Sequence, residues 1–381
     1  MDVNQASLLL GGISPREFMR RNWQRKPLLV RQALPGMAPL MNRAALIELA
    51  SRDGVESRLV MHGAQGAGTS HWRLRHGPFA RRSLPPLKQP QWSLLVQGVD
   101  LHDQAAHALL KQFRFVPDAR LDDLMISYAT DGGGVGPHFD SYDVFLLQMH
   151  GRRRWRFGRQ RDLSLQEGVP LKILQNFEAQ QDHVLEPGDM LYLPPGYAHD
   201  GVAMGECMTC SIGFRAPSSA ELAGELLQRI AEEAPDELGD ARYRDPRQAA
   251  VDQPGEIPQA LLGFAREAVH CALQDGRLLE TVLGEYLTEP KPGVWFGDAA
   301  HGRSRKRAAG LRLDRRTRMM FDERNVYING ESYRASGRDA RLMRQLANAR
   351  DLPAAQRQRA SAQAQLLLDG WIQAGWMHEY R

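Results

Sequence analysis

The chain has 381 residues, too many for one ordinary hydrophobic core, so we expect two or three domains. Its hydrophobic content of 43% and charged content of 25% are typical of a globular protein, and no apolar run is long enough to span a membrane. The net charge of +4 is lower than that of a dedicated nucleic-acid-binding protein. The sequence has three cysteines and no secretory signal, which predicts a cytoplasmic protein rather than a disulfide scaffold.

The first part of the chain, up to about Pro217, is rich in strand signals. Ser14-Pro15-Arg16-Glu17 has the pattern of a capping box with proline at the first helical position, so a helix should follow. Residues 26–30 then predict a short extended segment. From Leu121 onward, short β runs alternate with glycine and proline, which is typical of an antiparallel sandwich or barrel. The predicted strands cover residues 125–130, 144–150, 152–157, 190–193 and 208–214.

The composition changes after Pro217. Ser218-Ser219-Ala220-Glu221 is a second capping-box pattern, and apolar residues at helical spacing predict helices over 220–233, 259–274 and 278–287. The second of these helices carries Leu261, Phe264 and Val269. We interpret residues 218–300 as a helical segment that serves as a linker or as a dimerisation surface.

The last part of the chain, residues 301–381, has a different pattern again. Asn329-Gly330 between two short β runs predicts a hairpin over 326–333, because this dipeptide suits a type I′ turn. Helices should follow over 338–350 and 354–374. A small α+β module of this kind is compatible with a winged-helix shape.

The residues most suited to metal chemistry lie in the first part of the chain. His138 and Asp140 are two apart, so on a strand both side chains would lie on one face. His199 follows a later strand, after Pro194-Pro195-Gly196. Two imidazoles and one carboxylate leave several coordination positions open, an arrangement typical of non-haem iron(II) that must bind a cosubstrate and oxygen together. The alternative is that His138 and Asp140 are a polar strand face and that His199 is a loop residue.

Other possible ligands are less suitable. We interpret His150 and His183 as surface residues beside turns. Cys207 and Cys210 could be half of a zinc site or a redox pair, but there is no second cysteine pair, and residues three apart on a strand face opposite ways. Packing cysteines are therefore the better interpretation.

The run from Arg152 to Phe157 predicts a buried arginine. Arg153 alternates with Trp155 and Phe157, so it should point into the barrel with these aromatic side chains. A buried guanidinium needs an anionic partner, and its planar fork can bind a carboxylate with two hydrogen bonds. The remote carboxylate of 2-oxoglutarate would fit this role, with the other end of the molecule on the metal. An internal salt bridge is the alternative.

These motifs resemble a known family. The chain is similar to the bacterial ribosomal oxygenases of the Jumonji-C/cupin group, which hydroxylate an arginine in a large-subunit ribosomal protein. The similar segments span most of the first 217 residues: 23–31, 134–140, 142–145, 151–156, 186–196, His199 and 211–217. Beyond Pro217 the likeness is one of layout, with a helical dimerisation segment followed by a winged-helix-like domain.

The resemblance implies an α+β protein with three regions: a double-stranded β-helix (cupin, or jelly-roll) catalytic domain at 1–217, a helical dimerisation segment at 218–300, and a winged-helix-like domain at 301–381. It implies a 2-oxoglutarate-dependent dioxygenase of the protein arginine 3-hydroxylase type, acting on the sixteenth protein of the large (50S) subunit with iron(II), 2-oxoglutarate and O2. A homodimer is expected, and no membrane partner.

The resemblance also assigns residues to roles. His138, Asp140 and His199 would hold iron(II). Arg153 would bind the tail of 2-oxoglutarate, and Ser211 would lie near the cosubstrate. Asp131 would contact a substrate guanidinium, or would be a turn residue before Gly132. Tyr128 and Tyr142 would supply aromatic walls for the substrate.

Three alternative functions stay open at this point. Related family members hydroxylate a histidine of ribosomal proteins instead of an arginine. A metal-binding cupin without oxygenase activity would show no dependence on 2-oxoglutarate, and it would leave Arg153 unexplained. A nucleic-acid-binding regulator would bind DNA tightly, in a salt-dependent way, through its basic C-terminal region.

Overall fold

The computed structural model describes residues 2–63, 72–238, 242–250, 252–253, 255–274, 276–297 and 309–380, with only the backbone of 233–238. The expected boundary between residues 300 and 301 lies outside these ranges. The chain forms two compact units, Met1–Ala216 and Pro217–Arg381. In the described part of the chain, no helix is both long and apolar enough to cross a membrane.

The first unit is built on a nine-stranded antiparallel sheet. Its order is β1-β8-β6-β9-β5-β4-β2-β3, and β7 also pairs with β6. The strands are β1 (Leu28–Val30), β2 (Ser57–His62), β3 (Trp72–His76), β4 (Trp92–Val96), β5 (Leu121–Ala129), β6 (Val144–Arg159), β7 (Gln181–Leu185), β8 (Met190–Leu193) and β9 (Tyr197–Phe214).

Two strands are longer than the sequence predicts. The predicted strands 144–150 and 152–157 are one strand, β6. Gly151 has a positive φ of 61°, and the register shifts on either side of His150 without ending the pairing to β9. β9 begins at Tyr197 rather than at residue 208. Its first half contains Gly201 and Gly205 and looks like a loop in the sequence, but pairing with β6 holds it extended.

Three short helices accompany this sheet: α1 (Pro15–Arg21), α2 (Arg43–Leu49) and α3 (Gln104–Leu110). The predicted cap of α1 is confirmed, since the Ser14 side chain accepts a hydrogen bond from the Glu17 N–H. Phe18 of α1 is fully buried, with its ring 4.9 Å from Tyr192 and 5.4 Å from Phe145. Burial of such a side chain contributes about 2–3 kcal/mol and fixes this helix on one side of the sheet.

The second unit begins with three helices, α4 (Ser219–Leu238), α5 (Gln259–Gln274) and α6 (Gly276–Thr288). The second capping box is also confirmed, because Ser218 and Glu221 exchange hydrogen bonds between their side chains and backbone N–H groups. Two three-stranded sheets and three helices follow: β10 (Gly310–Leu313), β11 (Met319–Phe321), β12 (Asn325–Ile328), β13 (Glu331–Arg334), α7 (Gly337–Ala349), β14 (Asp351–Leu352), α8 (Ala354–Arg357), α9 (Ala362–Gln373) and β15 (Met377–Tyr380).

The predicted hairpin is confirmed, since β12 and β13 pair around Asn329 and Gly330, which have φ angles of 49° and 89°. The predicted single helix over 354–374 is wrong. The chain turns between α8 and α9, where Ser361 caps α9 by accepting a hydrogen bond from the Ala364 N–H. The buried Arg357, which ends α8, forms an ion pair with Glu379 at 2.7 Å.

Candidate functional site

The side chains predicted to bind a metal meet in a cavity of about 540 Å³ inside the first unit. Strands β2, β4, β5, β6 and β9 contribute to its walls, together with the segment 134–142 between β5 and β6 and part of the β6–β7 loop. A cavity of this size is in the range of small-molecule sites in proteins.

His138, Asp140 and His199 come together on one wall of this cavity. One ligand atom from each lies within 4.8 Å of the others, and the His199 Nε2 is 3.7 Å from the Asp140 Oδ2. The expected strand at His138 and Asp140 is absent: His138 instead forms an isolated bridge with His199, with N···O distances of 3.0 and 2.7 Å. This bridge fixes the two imidazoles relative to each other, with ring centroids 4.3 Å apart.

Backbone contacts set the orientation of both imidazoles. The His138 Nδ1 lies 2.9 Å from the Gly136 carbonyl oxygen, and the His199 Nδ1 lies 3.0 Å from the Tyr197 carbonyl oxygen. Because a carbonyl only accepts, each Nδ1 carries the proton and each Nε2 keeps its lone pair. This is the usual arrangement for histidines that bind a metal.

The electrostatics of His199 also suit a ligand. Burial, followed by the proximity of His138, lowers the pKa of this imidazole to about 4. The side chain is therefore neutral at physiological pH, as coordination requires.

Glycines let the ligand segment approach the sheet closely. A Cβ on Gly134 would lie 2.6 Å from the Gly201 carbonyl oxygen, and a Cβ on Gly133 would lie 2.5 Å from the Trp92 carbonyl oxygen. Neither backbone oxygen can move aside easily. The glycine run before His138 is thus needed for close packing next to β4 and β9.

Arg153 lies inside the barrel, as the alternation of β6 predicts. Its side chain is buried, with 5% exposed, and it lines the same cavity as the metal-ligand residues. The Nη1 donates a hydrogen bond to the Ser127 Oγ at 3.1 Å, whereas Nε and Nη2 have no partner among the described residues. No carboxylate pairs with this guanidinium in the described part of the chain, so the expected alternative of an internal salt bridge is not observed.

The other predicted site residues are placed differently. Ser211 and Tyr142 line the cavity, and burial together with the Asp140 charge raises the pKa of the Tyr142 phenol. Tyr128 is not a wall of the cavity, because its ring is fully buried beside Trp92 on the opposite face of β5. Asp131 is outside the cavity as well, and its carboxylate accepts the Gly205 N–H at 2.7 Å, which matches the alternative of a turn residue.

Several cavity residues are absent from the sequence-based set. Asp123, Met125 and Ser127 of β5 line the cavity, as does Arg58 of β2. The alternation of β5 groups the first three on one face of the strand, and the pairing with β4 and β9 makes that face the inner one. The position of Arg58 in the cavity depends on the pairing of β2 with β4, which no local sequence pattern predicts.

The remaining candidates for metal binding lie elsewhere. His150 is exposed and His183 is half-buried on β7, and neither lines the cavity. Cys207 and Cys210 are fully buried free thiols that pack in different apolar clusters, so their interpretation as packing residues is confirmed.

Comparison with known proteins gives two family matches. Residues 108–222 match the model of the JmjC domain, and residues 272–378 match that of the ROXA-like winged helix. The chain is 35% identical to the ribosomal protein uL16 3-hydroxylase of Escherichia coli (strain K12), over 85% of this chain and 86% of that protein. It is 30% identical to a probable ribosomal oxygenase of Haemophilus influenzae, over 84% and 82% of the two chains.

Solved structures agree with these matches. The crystal structure of E. coli ycfD superposes with a TM-score of 0.83 at 31% identity, covering 96% of this chain and 98% of that chain. A structure of YcfD, described as a ribosomal oxygenase in complex with cobalt and 2-oxoglutarate, superposes with a TM-score of 0.79 at the same identity and coverage. The predicted cupin-type β fold with a helical region and a winged helix is thereby confirmed.

Proposed function

The chain belongs to the ribosomal oxygenases of the JmjC group, and on this basis we propose that it hydroxylates an arginine side chain of the large-subunit ribosomal protein uL16. As a member of this group, it is a dioxygenase that depends on iron(II) and 2-oxoglutarate. The observation that carries the proposal is the cavity itself, which holds three metal-ligand residues and a buried arginine with two unused N–H donors.

The residues present fit both groups. His138, Asp140 and His199 would hold iron(II), because their ligand atoms already converge and both imidazoles present Nε2. The unpartnered donors of Arg153 would bind the remote carboxylate of 2-oxoglutarate, with Ser127 and Ser211 nearby in the same cavity. When bound, iron(II) with oxygen and 2-oxoglutarate supplies the oxidising chemistry that inserts one oxygen atom into a C–H bond while 2-oxoglutarate becomes succinate and carbon dioxide.

The remaining cavity residues would receive the substrate side chain. Asp122 and Asp123 line the cavity, and Asp122 already pairs with Arg215 at 3.3 Å. The negative charge of Asp123 suits an incoming guanidinium better than a neutral imidazole. This favours arginine over histidine as the substrate residue. Tyr142 provides an aromatic wall on the same side, where its ring can flank a planar guanidinium. The task of this chain is then to orient the target carbon and to exclude water from the cavity.

We further propose that the protein works as a homodimer in the cytoplasm, where ribosomal proteins are made. The proposed regions are a catalytic domain at 1–217, a helical dimerisation segment at 218–300 and a winged-helix-like domain at 301–381. The apolar side chains of α5 support a second copy as the partner. None of the described α5 side chains is buried, and Val269 is 61%, Leu273 46%, and Leu261 and Phe264 are each 38% exposed.

The experiment starts from protein purified without oxygen and supplied with iron(II) and 2-oxoglutarate. Large-subunit ribosomal proteins, including uL16, are added before air is admitted, and the peptides are examined by mass spectrometry. The expected result is one arginine peptide of uL16 that gains a single oxygen atom. His138→Ala should abolish this gain, whereas the matched control His150→Ala, which changes an exposed histidine of β6, should retain it.

Other outcomes separate the alternatives. A modified histidine would reassign the substrate residue. Consumption of 2-oxoglutarate without any modified ribosomal peptide would retain the reaction class and refute the substrate. No consumption with iron bound would refute the oxygenase and favour a binding cupin.

A further inference from the structure

A second arginine lines the same cavity as Arg153. Arg58 lies on β2, where it pairs with Leu95 of β4, and both side chains line the cavity. Val60 lies two residues further along β2 and lines the cavity too, so the period of two places Arg58 on the inner face. The cavity is therefore flanked by two guanidinium groups on different strands.

The guanidinium of Arg58 is not fully satisfied. Its Nε is buried and has no hydrogen-bond partner among the residues that the structure describes. A buried donor without a hydrogen bond lowers the stability of the fold, so such a donor indicates that a bound ligand supplies the acceptor. The same reasoning applies to Arg153.

The two carboxylates of 2-oxoglutarate do not supply a partner for Arg58. The proposed function assigns one end of 2-oxoglutarate to the metal-ligand residues and the other to Arg153, whose Nη1 also donates a hydrogen bond to Ser127 of β5. Arg58 lies on another strand, since β2 is four strand positions from β6 in the order β6-β9-β5-β4-β2. On this assignment the partner of Arg58 is an oxygen of a different molecule.

The surroundings of Arg58 indicate that this molecule is the substrate. Arg58 and Tyr142 line the same cavity as Asp140, and Tyr142 is 40% exposed, so the cavity reaches solvent on the side of Tyr142. A protein segment that inserts a side chain toward Asp140 enters the cavity that Arg58 lines. Its main chain carries a carbonyl oxygen at every residue, and any of these oxygens can accept the Nε–H.

We propose that Arg58 is a substrate-binding residue that donates a hydrogen bond from its guanidinium to an acceptor oxygen of the protein substrate, next to the residue that is hydroxylated. This inference rests on the proposed function. The acceptor is a main-chain carbonyl or a side-chain carboxylate of the inserted segment. Arg58 thereby fixes the depth to which the substrate side chain enters, and so which carbon faces the metal-ligand residues.

The test measures substrate and cosubstrate separately in Arg58→Met and Arg58→Lys. Loss of one hydrogen bond from a charged donor should raise the KM for a uL16 peptide about ten- to hundredfold, while the KM for 2-oxoglutarate stays within about twofold of the wild type. Lysine keeps the charge but moves the donor, so it should recover only part of the loss. Arg73→Met, an exposed arginine on the neighbouring strand β3, is the matched control and should change neither constant.

A binding measurement keeps the inference testable if turnover is lost. Fluorescence anisotropy of the labelled peptide, with manganese(II)-loaded protein under argon, should show that Arg58→Met binds the peptide more weakly than the wild type. A separate melting curve of Arg58→Met should show that the variant is folded at the temperature of the binding assay. Peptides with acidic residues converted to amides identify the oxygen: a persisting effect of Arg58→Met assigns a main-chain carbonyl, and a lost effect assigns a carboxylate.

Two outcomes would overturn the inference. An equal rise in the KM for 2-oxoglutarate would place Arg58 in the cosubstrate site, and unchanged peptide binding would leave it no role in recognition. Failure of the proposed function looks different, because wild-type protein would then bind no uL16 peptide while Arg58→Met still consumed 2-oxoglutarate like the wild type.

Discussion

Replacement of Arg153 by methionine should remove cosubstrate binding and at the same time stabilise the protein without cosubstrate. Methionine has a similar length and no charge, so it keeps most of the packing beside Trp155, whose ring centroid lies 5.7 Å from the guanidinium. What it removes is a buried guanidinium with two unpartnered nitrogens. The two effects have opposite signs, which makes the prediction easy to refute.

The magnitudes follow from the hydrogen bonds. Two hydrogen bonds from a charged donor to a carboxylate contribute about 1.5–3 kcal/mol each, so their loss should weaken 2-oxoglutarate binding by roughly 3–6 kcal/mol, at least a hundredfold. Without cosubstrate, exchange of a poorly paired buried charge for an apolar side chain typically stabilises a fold by about 1–4 kcal/mol. The Ser127 hydroxyl loses one partner, which offsets part of this gain.

Differential scanning fluorimetry measures both effects in one experiment. Manganese(II)-loaded wild type should melt at a higher temperature when 2-oxoglutarate is added, whereas Arg153→Met should melt a few degrees above the cosubstrate-free wild type and not respond to the addition. Arg154→Met changes the neighbouring exposed arginine, which pairs with Asp182, and should behave like the wild type within about 1 kcal/mol. A strongly destabilised Arg153→Met would show that the guanidinium has an internal partner, and a retained response to 2-oxoglutarate would refute its role.

Three further predictions concern other residues. Gly134→Ala should weaken metal binding at least about tenfold and lower the free energy of unfolding by about 1–3 kcal/mol. The reason is that the new methyl group would press on the Gly201 carbonyl oxygen and shift the segment that carries His138 and Asp140. Metal titration measures the first effect and urea unfolding the second. Asp143→Asn should cost about 2–3 kcal/mol in urea unfolding, because this fully buried carboxylate accepts the Tyr192 hydroxyl at 2.6 Å. Burial alone would raise the pKa of Asp314, but hydrogen bonds from Arg316 and His378 lower it to about 2. The ionised carboxylate should therefore contribute about 2 kcal/mol of stability above pH 4, and this contribution should be lost as the pH falls toward 2. Thermal unfolding as a function of pH should show this loss in the wild type and not in Asp314→Asn.

Each of these has its own control or contrary result. Gly224→Ala, in α4 with no atom within 4 Å of the new methyl group, should instead stabilise by about 0.5–1 kcal/mol. A change below about 0.5 kcal/mol in Asp143→Asn would mean that an amide oxygen accepts the Tyr192 hydroxyl as well as the carboxylate does. Equal acid sensitivity of wild type and Asp314→Asn would remove Asp314 as the cause.

The sequence predicts the metal-ligand residues and Arg153 because each depends on a short local pattern. The sequence did not predict the backbone conformation of the segment that carries His138 and Asp140, because an isolated bridge to His199, some 60 residues away, holds it. Tyr128 shows a different limit. On β5 either face could have been the inner one from the sequence alone, and only the pairing with β4 and β9 places Ser127 inside and Tyr128 outside.

The second half shows the same division between local and distant causes. The second capping box predicted where α4 begins, and Asn329-Gly330 predicted the β12–β13 hairpin. The end of α8 was missed; Arg357, at that end, is buried and forms an ion pair with Glu379 of β15, a contact that no local pattern indicates. In the first unit, the pairing of strands that are far apart in the sequence, such as β2 with β4, was also missed, and so was the position of Arg58 in the cavity.

The carbonyl contacts of the two imidazoles have a consequence for metal selectivity. Each contact is made within three residues of the same chain segment, from His138 to Gly136 and from His199 to Tyr197, so the donor set is arranged before any ion arrives. A set of two nitrogens and one carboxylate prearranged in this way binds first-row divalent ions in the Irving–Williams order, which places cobalt, nickel and copper above iron(II). Iron loading must therefore depend on which ions are supplied to the folding protein, and an enzyme produced in nickel- or cobalt-rich medium should be inactive until the ion is exchanged.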